Sequence, residues 1–298
     1  MGNLRTLKTF ILEVYHVWVS ERPSQLAAAL AYFGIFSFSA VLYIAYWLAG
    51  LFIDEAAAAA RLYERIEAAL GPETAAFIQD SVNAVSTANT GGSWIITLVS
   101  LGTLLFAAVG LFLQLKYALN RIWGVPLIDI NDKFAFVRQE LFAFLMVIAL
   151  GLLVILVTIV NVIFAWFGAV IEKYIGESSL VSILNVLALL GMIILTNAFI
   201  YKILPDVKLA WRDVWPGSIA VTFLMILGGL VIGIYFSLGG VHSAFEAAGA
   251  FAVLMIAIYY FAQIFLLGAV ITRVYTQQYG SMRKPSVVQD TVSPVSVS

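Results

Sequence analysis

Cysteine is absent from this chain, which excludes a disulfide framework, a thiolate nucleophile, an iron–sulfur cluster and a Cys-ligated zinc site. Histidine is almost as scarce. His16 and His242 are the only two, and they fall on different expected faces of a membrane, so a His-rich metal site fails on ligand count. Charge is sparse as well. Charged residues make up 11% of 298 residues and the formal net charge is −1, which leaves no bulk attraction to nucleic acid. Met1 to Ser20 lack the basic start, short apolar core and small-residue cleavage site of a signal peptide, so the first apolar segment is expected to direct insertion. There is no P-loop, no H-E-x-x-H and no G-x-S-x-G elbow. The expectation is a protein that is not an enzyme and carries no cofactor, metal or nucleic acid.

What is abundant is apolar sequence. Hydrophobic residues make up 62% of the chain and the mean hydropathy is +1.00. A spanning helix needs about 20 predominantly apolar residues. Six stretches qualify: Leu26 to Ile53, Trp94 to Ala118, Phe134 to Phe167, Leu180 to Leu204, Val214 to Leu238 and Ala247 to Val274. The predicted fold is all-α and polytopic. It comprises an N-terminal interfacial segment (1–25), a six-helix membrane domain (26–278) with an outer helical segment (54–90), and a disordered tail (279–298).

The basic residues orient this bundle. Arg5, Lys8 and Arg22 precede the first stretch. Lys116, Arg121, Lys133 and Arg138 surround the second link. Lys202, Lys208 and Arg212 surround the fourth, and Arg273, Arg283 and Lys284 lie at the C-terminal end. The opposite side holds only Arg61, Arg65 and Lys173 of the 16 Lys and Arg residues. Short cytoplasmic loops retain Lys and Arg during insertion, so both termini are expected in the cytoplasm. Tryptophan agrees: Trp18, Trp123, Trp211 and Trp215 sit at predicted inner boundaries, and Trp94 and Trp166 at outer ones.

Before the first stretch, Leu4, Leu7, Ile11, Val14 and Trp18 recur at helical spacing, with Lys8 and Glu13 off that face. Two readings stand side by side: an amphipathic helix on the inner leaflet, or a cytoplasmic extension packed on the bundle. Residues 54–90 predict two short amphipathic helices. Asp54 is the first N-cap, and Gly71-Pro72 separates the helices. Ile78, Val82 and Val85 line the second. This pair could cap the outer mouth or shield helix ends. The halves of the chain could form an inverted repeat, but they share no evident similarity.

Polar groups in hydrocarbon need an explanation. Gln114, Lys116, Asn120 and Arg121 close the second stretch, and Arg138 and Glu140 open the third. Glu140 could pair with Lys116 or Arg121. Alternatively, both cations could snorkel to inner-leaflet phosphates. Asn161, Asn185, Asn197 and Gln263 lie deeper. Their amides could bond across helices or line a polar cavity. Gly229 and Gly233 form a GxxxG pattern that suits close helix packing. Asp206 and Asp213, flanking Lys208 and Arg212, read as a solvated loop with a helix cap.

Three segments carry a family resemblance: AAALAYFGIFS (Ala27 to Ser37), ALNRIWGV (Ala118 to Val125) and LPDVKLAWRDVWPG (Leu204 to Gly217). With LLGA at Leu266 to Ala269, the chain resembles the YihY/BrkB family of bacterial inner-membrane proteins over about Phe10 to Tyr279. The resemblance implies six spans with both termini inside, and an envelope role. It also brings the label of a tRNA-processing ribonuclease given to some members. The residues here oppose that label, because metal-dependent RNA hydrolysis needs clustered His or carboxylate ligands. Members usually carry Pro near Ala40 and often Glu at the place of Val270, so this chain departs from the pattern at both. The expected function is transport or lipid and envelope-metabolite handling through a polar-lined cavity. Membrane lipids are the expected partners, and Lys116, Arg121 and Arg138 could attract an anionic headgroup. The alternative is a non-transporting envelope scaffold that binds partners through residues 54–90.

Overall fold

The computed structural model describes residues 2–50, 109–126, 179–237 and 246–282, with single positions at 63, 64, 67, 72, 74–76, 78–80, 145 and 160. Every regular element among them is helical. In chain order these are α1 (Gly2–Glu21), α2 (Pro23–Gly50), α3 (109–122), α4 (Ser179–Ile203), α5 (Trp211–Ser237) and α6 (Glu246–Gln278). The predicted fourth, fifth and sixth stretches coincide with α4, α5 and α6 to within a turn. The first coincides with α2, and α3 covers the C-terminal end of the second. The third stretch, apart from Leu145 and Val160, lies outside the described residues.

Three described segments are long and apolar enough to cross a bilayer: Val186–Ile203, Trp211–Ile234 and Phe251–Gln278. Their surfaces carry the signature of a membrane protein. Ile219, Phe223, Leu227, Leu230 and Ile234 of α5 are exposed, as are Val186, Leu187 and Leu195 of α4. In water such a contiguous apolar surface would be an aggregation liability. In hydrocarbon it costs nothing, and backbone groups satisfied inside helices are what the bilayer demands.

The central helix is α6, which packs against α1, α2 and α5, while α4 packs against α5 and reaches α6 through Tyr201. Its 33 residues span about 50 Å at 1.5 Å per residue, longer than the hydrocarbon core. Leu266, Ala269, Val270 and Val274 are fully buried there. Val270, one of the two positions where the chain departs from the family pattern, is thus a core residue. The α1–α2 corner is made by Arg22, whose φ of 49° breaks the helix. Pro23 then restarts it with a φ suited to a first helical position.

Close packing falls elsewhere than the GxxxG pattern suggested. Gly229 and Gly233 have open space where a Cβ would stand. The tight approaches are at Gly217, Gly228, Gly268 and Gly280. A Cβ on Gly217 would lie 2.5 Å from the Gly268 carbonyl oxygen and would overlap the Thr272 hydroxyl, and one on Gly268 would lie 2.7 Å from the Val221 Cβ. Gly229 neighbours the exposed Leu230, so the GxxxG stripe belongs to the open face. Gly217 shares a face with the buried Ser218 and Val221.

Segment 54–90 is helical at the positions described within it. Ile78 is buried against Ile35 of α2 and Leu254 of α6, with Tyr63, Met255 and Ile258 packed around them. The segment therefore touches the bundle at Ile78 and Tyr63, against α2 and α6.

Candidate functional site

The polar residues singled out near the end of the second stretch do converge, but with a partner the sequence reading had placed in solvent. Lys116, only 7% exposed, forms an ion pair with Asp206 at 3.0 Å. The Asn120 amide completes a reciprocal pair: its Nδ2 donates to Asp206 Oδ2 at 2.8 Å, and the Asp206 backbone N–H donates to Asn120 Oδ1 at 2.8 Å. The turn after α4 is thereby fastened to the end of α3. Lys202 braces the same turn by donating to the Leu209 carbonyl. Leu204, Pro205 and Leu209 are buried beneath it. Arg121 stays exposed. Arg138 and Glu140 lie outside the described residues.

Asp213 corrects the solvated reading more sharply, because it is fully buried. Its Oδ2 accepts the Ser281 N–H at 3.2 Å and the Ser281 hydroxyl. Arg212 Nε stands 3.8 Å from the other oxygen. The carboxylate sits in the first turn of α5, where a negative charge also meets the positive end of the helix dipole. Gly280 makes the approach possible, since a Cβ there would stand 2.6 Å from Asp213 Oδ1. Tyr279 to Met282, the first residues of the predicted tail, thus turn back onto α5. Residues 283–298 lie outside the described residues.

A third tie uses Arg273, which entered the sequence reading only as a counted charge. Its guanidinium forms an ion pair with Glu21 at 3.0 Å and donates to the Ile122 carbonyl. One side chain on α6 therefore holds the ends of α1 and α3. These three ties gather basic ends of the described helices at one end of the bundle.

Deeper amides behave differently. Asn197 Nδ2 donates to the Ile193 carbonyl at 3.0 Å and to Thr222 Oγ1 of α5 at 3.4 Å, a bond across helices. Tyr201, buried beside it, donates to the Phe265 carbonyl at 2.6 Å. Gln114 and Gln263 are half-buried on α3 and α6. Asn185 lies on α4, and Asn161 lies outside the described residues.

Between α2, α3, α5 and α6 is a cavity of about 370 Å³. Leu30, Gly34 and Ser37 form one wall, Leu111 and Leu115 a second, and Met225 a third. Ile258, Phe261, Ala262 and Phe265 form the fourth. The Ser37 hydroxyl donates to the Gly34 carbonyl at 3.1 Å, so its proton is used within its own helix. Gln114, Asn197 and Gln263 are not among these wall residues. The cavity that sequence reading expected to be polar is therefore apolar among the described residues. Its signal was present as Leu and Phe at helical spacing, which the sequence cannot separate from ordinary core. Ile258 belongs both to this wall and to the cluster around Ile78, so segment 54–90 borders the cavity there.

Comparison with curated proteins and with solved structures returns no match. The family model described as Virulence factor BrkB matches residues 14–290. That span takes in α2 to α6, the three polar ties and every wall residue of the cavity, and the chain belongs to the BrkB (YihY) family.

Proposed function

We propose that this protein is a six-span bacterial inner-membrane protein, with both termini in the cytoplasm, that handles a lipid or lipid-linked envelope compound by holding its apolar chain between α2, α3, α5 and α6. The observation that carries this reading is the apolar wall of the cavity. A polar metabolite placed there would leave its water without gaining partners, at a cost of roughly 2–7 kcal/mol per unpaired group. An acyl or isoprenoid chain meets no such penalty. Lipid tails are as apolar as Leu, so entry from the bilayer has no hydrophobic driving force. Occupancy then follows from the abundance of chains around the protein and from packing. Such a site exchanges its occupant readily, which suits handling rather than storage.

Charge at the tied end supports the same direction of reading. Asp206 offsets Lys116, and Arg121 remains exposed beside them, where an anionic headgroup of the inner leaflet would find it. A non-transporting scaffold is the second reading, favoured by Asn197, whose amide is spent on Thr222 between helices. The cavity itself counts against that reading.

Native mass spectrometry of the protein released from bacterial membranes tests the proposal. Ala262→Trp fills the cavity and is expected to lower the number of retained lipids, whereas Phe223→Trp on the exposed face of α5 is not. Equal retention in both variants contradicts it.

A further inference from the structure

Helix α1 is divided lengthwise into three sectors. Phe10, Val14, Val17 and Trp18 pack into the bundle core, and Glu21 is tied on the same side to Arg273. A second sector carries Leu7, Ile11, Tyr15 and Val19 at four-residue spacing. Each is more than half exposed, and Leu12 flanks them. The third sector is polar: Glu13, His16 and Ser20 are exposed. A helix with one partner needs one apolar stripe. Two adjacent stripes and a polar remainder are what a helix requires when protein, hydrocarbon and water each touch one side of it.

Charge points to the same partner. Lys8 and Arg22 are exposed and Arg5 lies on the same helix, while of the two acidic residues in α1 Glu21 is engaged by Arg273. The net positive balance complements the anionic surface of a cytoplasmic leaflet. Lys8 falls beside the Ile11–Tyr15 stripe, where its stem can follow the apolar surface while the ammonium reaches phosphate. The stripe is also continuous with the aromatic rim of the bundle, since Leu7 lines a shallow pocket together with Phe10, Tyr275 and Tyr279.

We infer that α1 lies in the boundary between headgroups and acyl chains of the inner leaflet, with Leu7, Ile11, Tyr15 and Val19 turned into the bilayer and anionic lipid as its partner. The two readings left open by the sequence are then both met, because α1 packs on the bundle and on the membrane through different sides. The inference rests on the cytoplasmic N-terminus proposed above and is independent of what the cavity holds.

The absence of cysteine from the chain makes the test direct. Ile11→Cys, Tyr15→Cys, Glu13→Cys and His16→Cys, each spin-labelled in the full-length protein, are reconstituted in vesicles of phosphatidylethanolamine and phosphatidylglycerol. Collisions with oxygen are expected to exceed those with an aqueous nickel chelate at 11 and 15, and the order is expected to reverse at 13 and 16. Chelate dominating at all four positions would overturn the inference. So would exclusion of both reagents from 11 and 15 with spin–spin broadening there, which marks a second copy on the stripe. Labelling His16→Cys with a membrane-impermeant thiol reagent from either side reports sidedness separately, so an error of topology is told apart from an error of depth. If phosphatidylcholine replaces phosphatidylglycerol, chelate collisions at 11 are expected to rise. No change would remove anionic lipid as the partner.

Discussion

Two stretches of α6 meet their neighbours in opposite ways. From Gly268 to its end, and at Gly280 just beyond it, the helix is held by close contacts: backbone lies against backbone at Gly217, Tyr201 and Val221 crowd Gly268, Arg273 grips two helix ends, and Gly280 touches a buried carboxylate. From Ile258 to Phe265, in the turns just before, the same helix forms one wall of an open cavity. Bonds that cross between elements through charge are concentrated in the lower stretch, where helix ends leave the hydrocarbon. The upper stretch has mainly shape to hold it. Because lipid solvates apolar side chains as well as protein does, shape alone does not force helices shut. On the proposed function, the lower stretch carries stability and the upper one ligand access.

The strongest way to break this division is at the closest contact. Gly217→Val would drive a side chain into Thr272 and the Gly268 carbonyl. Overpacking costs about 1–3 kcal/mol and sometimes more, so a large fall in the thermal midpoint measured in detergent is expected. A midpoint equal to that of the unaltered protein would place the rigid seam elsewhere. Asp213→Ala comes next. It strands the Ser281 N–H and a buried position in the first turn of α5, and about 2 kcal/mol is expected from loss of hydrogen bonds to a charged acceptor, read in the same melt. Asp206→Asn should cost less, about 1 kcal/mol, because Asp206 is half-exposed and solvent screens its pairing with Lys116. A double-mutant cycle with Lys116→Met measures that coupling. Smallest of all is Gly229→Ala on the open face, expected to be neutral or to stabilise by up to about 1 kcal/mol through helix propensity. A loss there comparable with that of Gly217→Val would restore the GxxxG stripe as a packing surface.

For the described helices, existence and ends were legible because they follow from apolar run length. Leu180 to Leu204 and Val214 to Leu238 needed no knowledge of neighbours. What was not legible is which surface of each helix faces inward. Gly229 and Gly233 satisfy a packing pattern, yet local spacing carries no sign of which side meets lipid. The signal for Gly217 was the polar run Ser218 and Thr222, four residues apart on one side of α5, matched by Thr272 and Thr276 on α6. Their hydroxyls bond back to their own helices, which lets small polar residues line a tight seam in hydrocarbon. Lys116 and Asn120 were recognisable as groups needing partners, but Asp206 lies 86 residues beyond Asn120, and only the packing of α3 beside the turn after α4 brings them together. Asp213 looked solvated because the residue that buries it, Ser281, follows the last helix, in sequence that resembles a free tail.

The central claim is that a lipid chain enters the space beside upper α6. A lipid bearing a photoreactive group near the end of its acyl chain, incubated with native membranes and mapped by peptide mass spectrometry after illumination, tests this most directly. Adducts on Leu111, Leu115, Phe261 or Phe265, lost on Ala262→Trp, are predicted. Adducts confined to Phe223, Leu227 and Leu230 on the outer face of α5, and unaffected by that substitution, would contradict it.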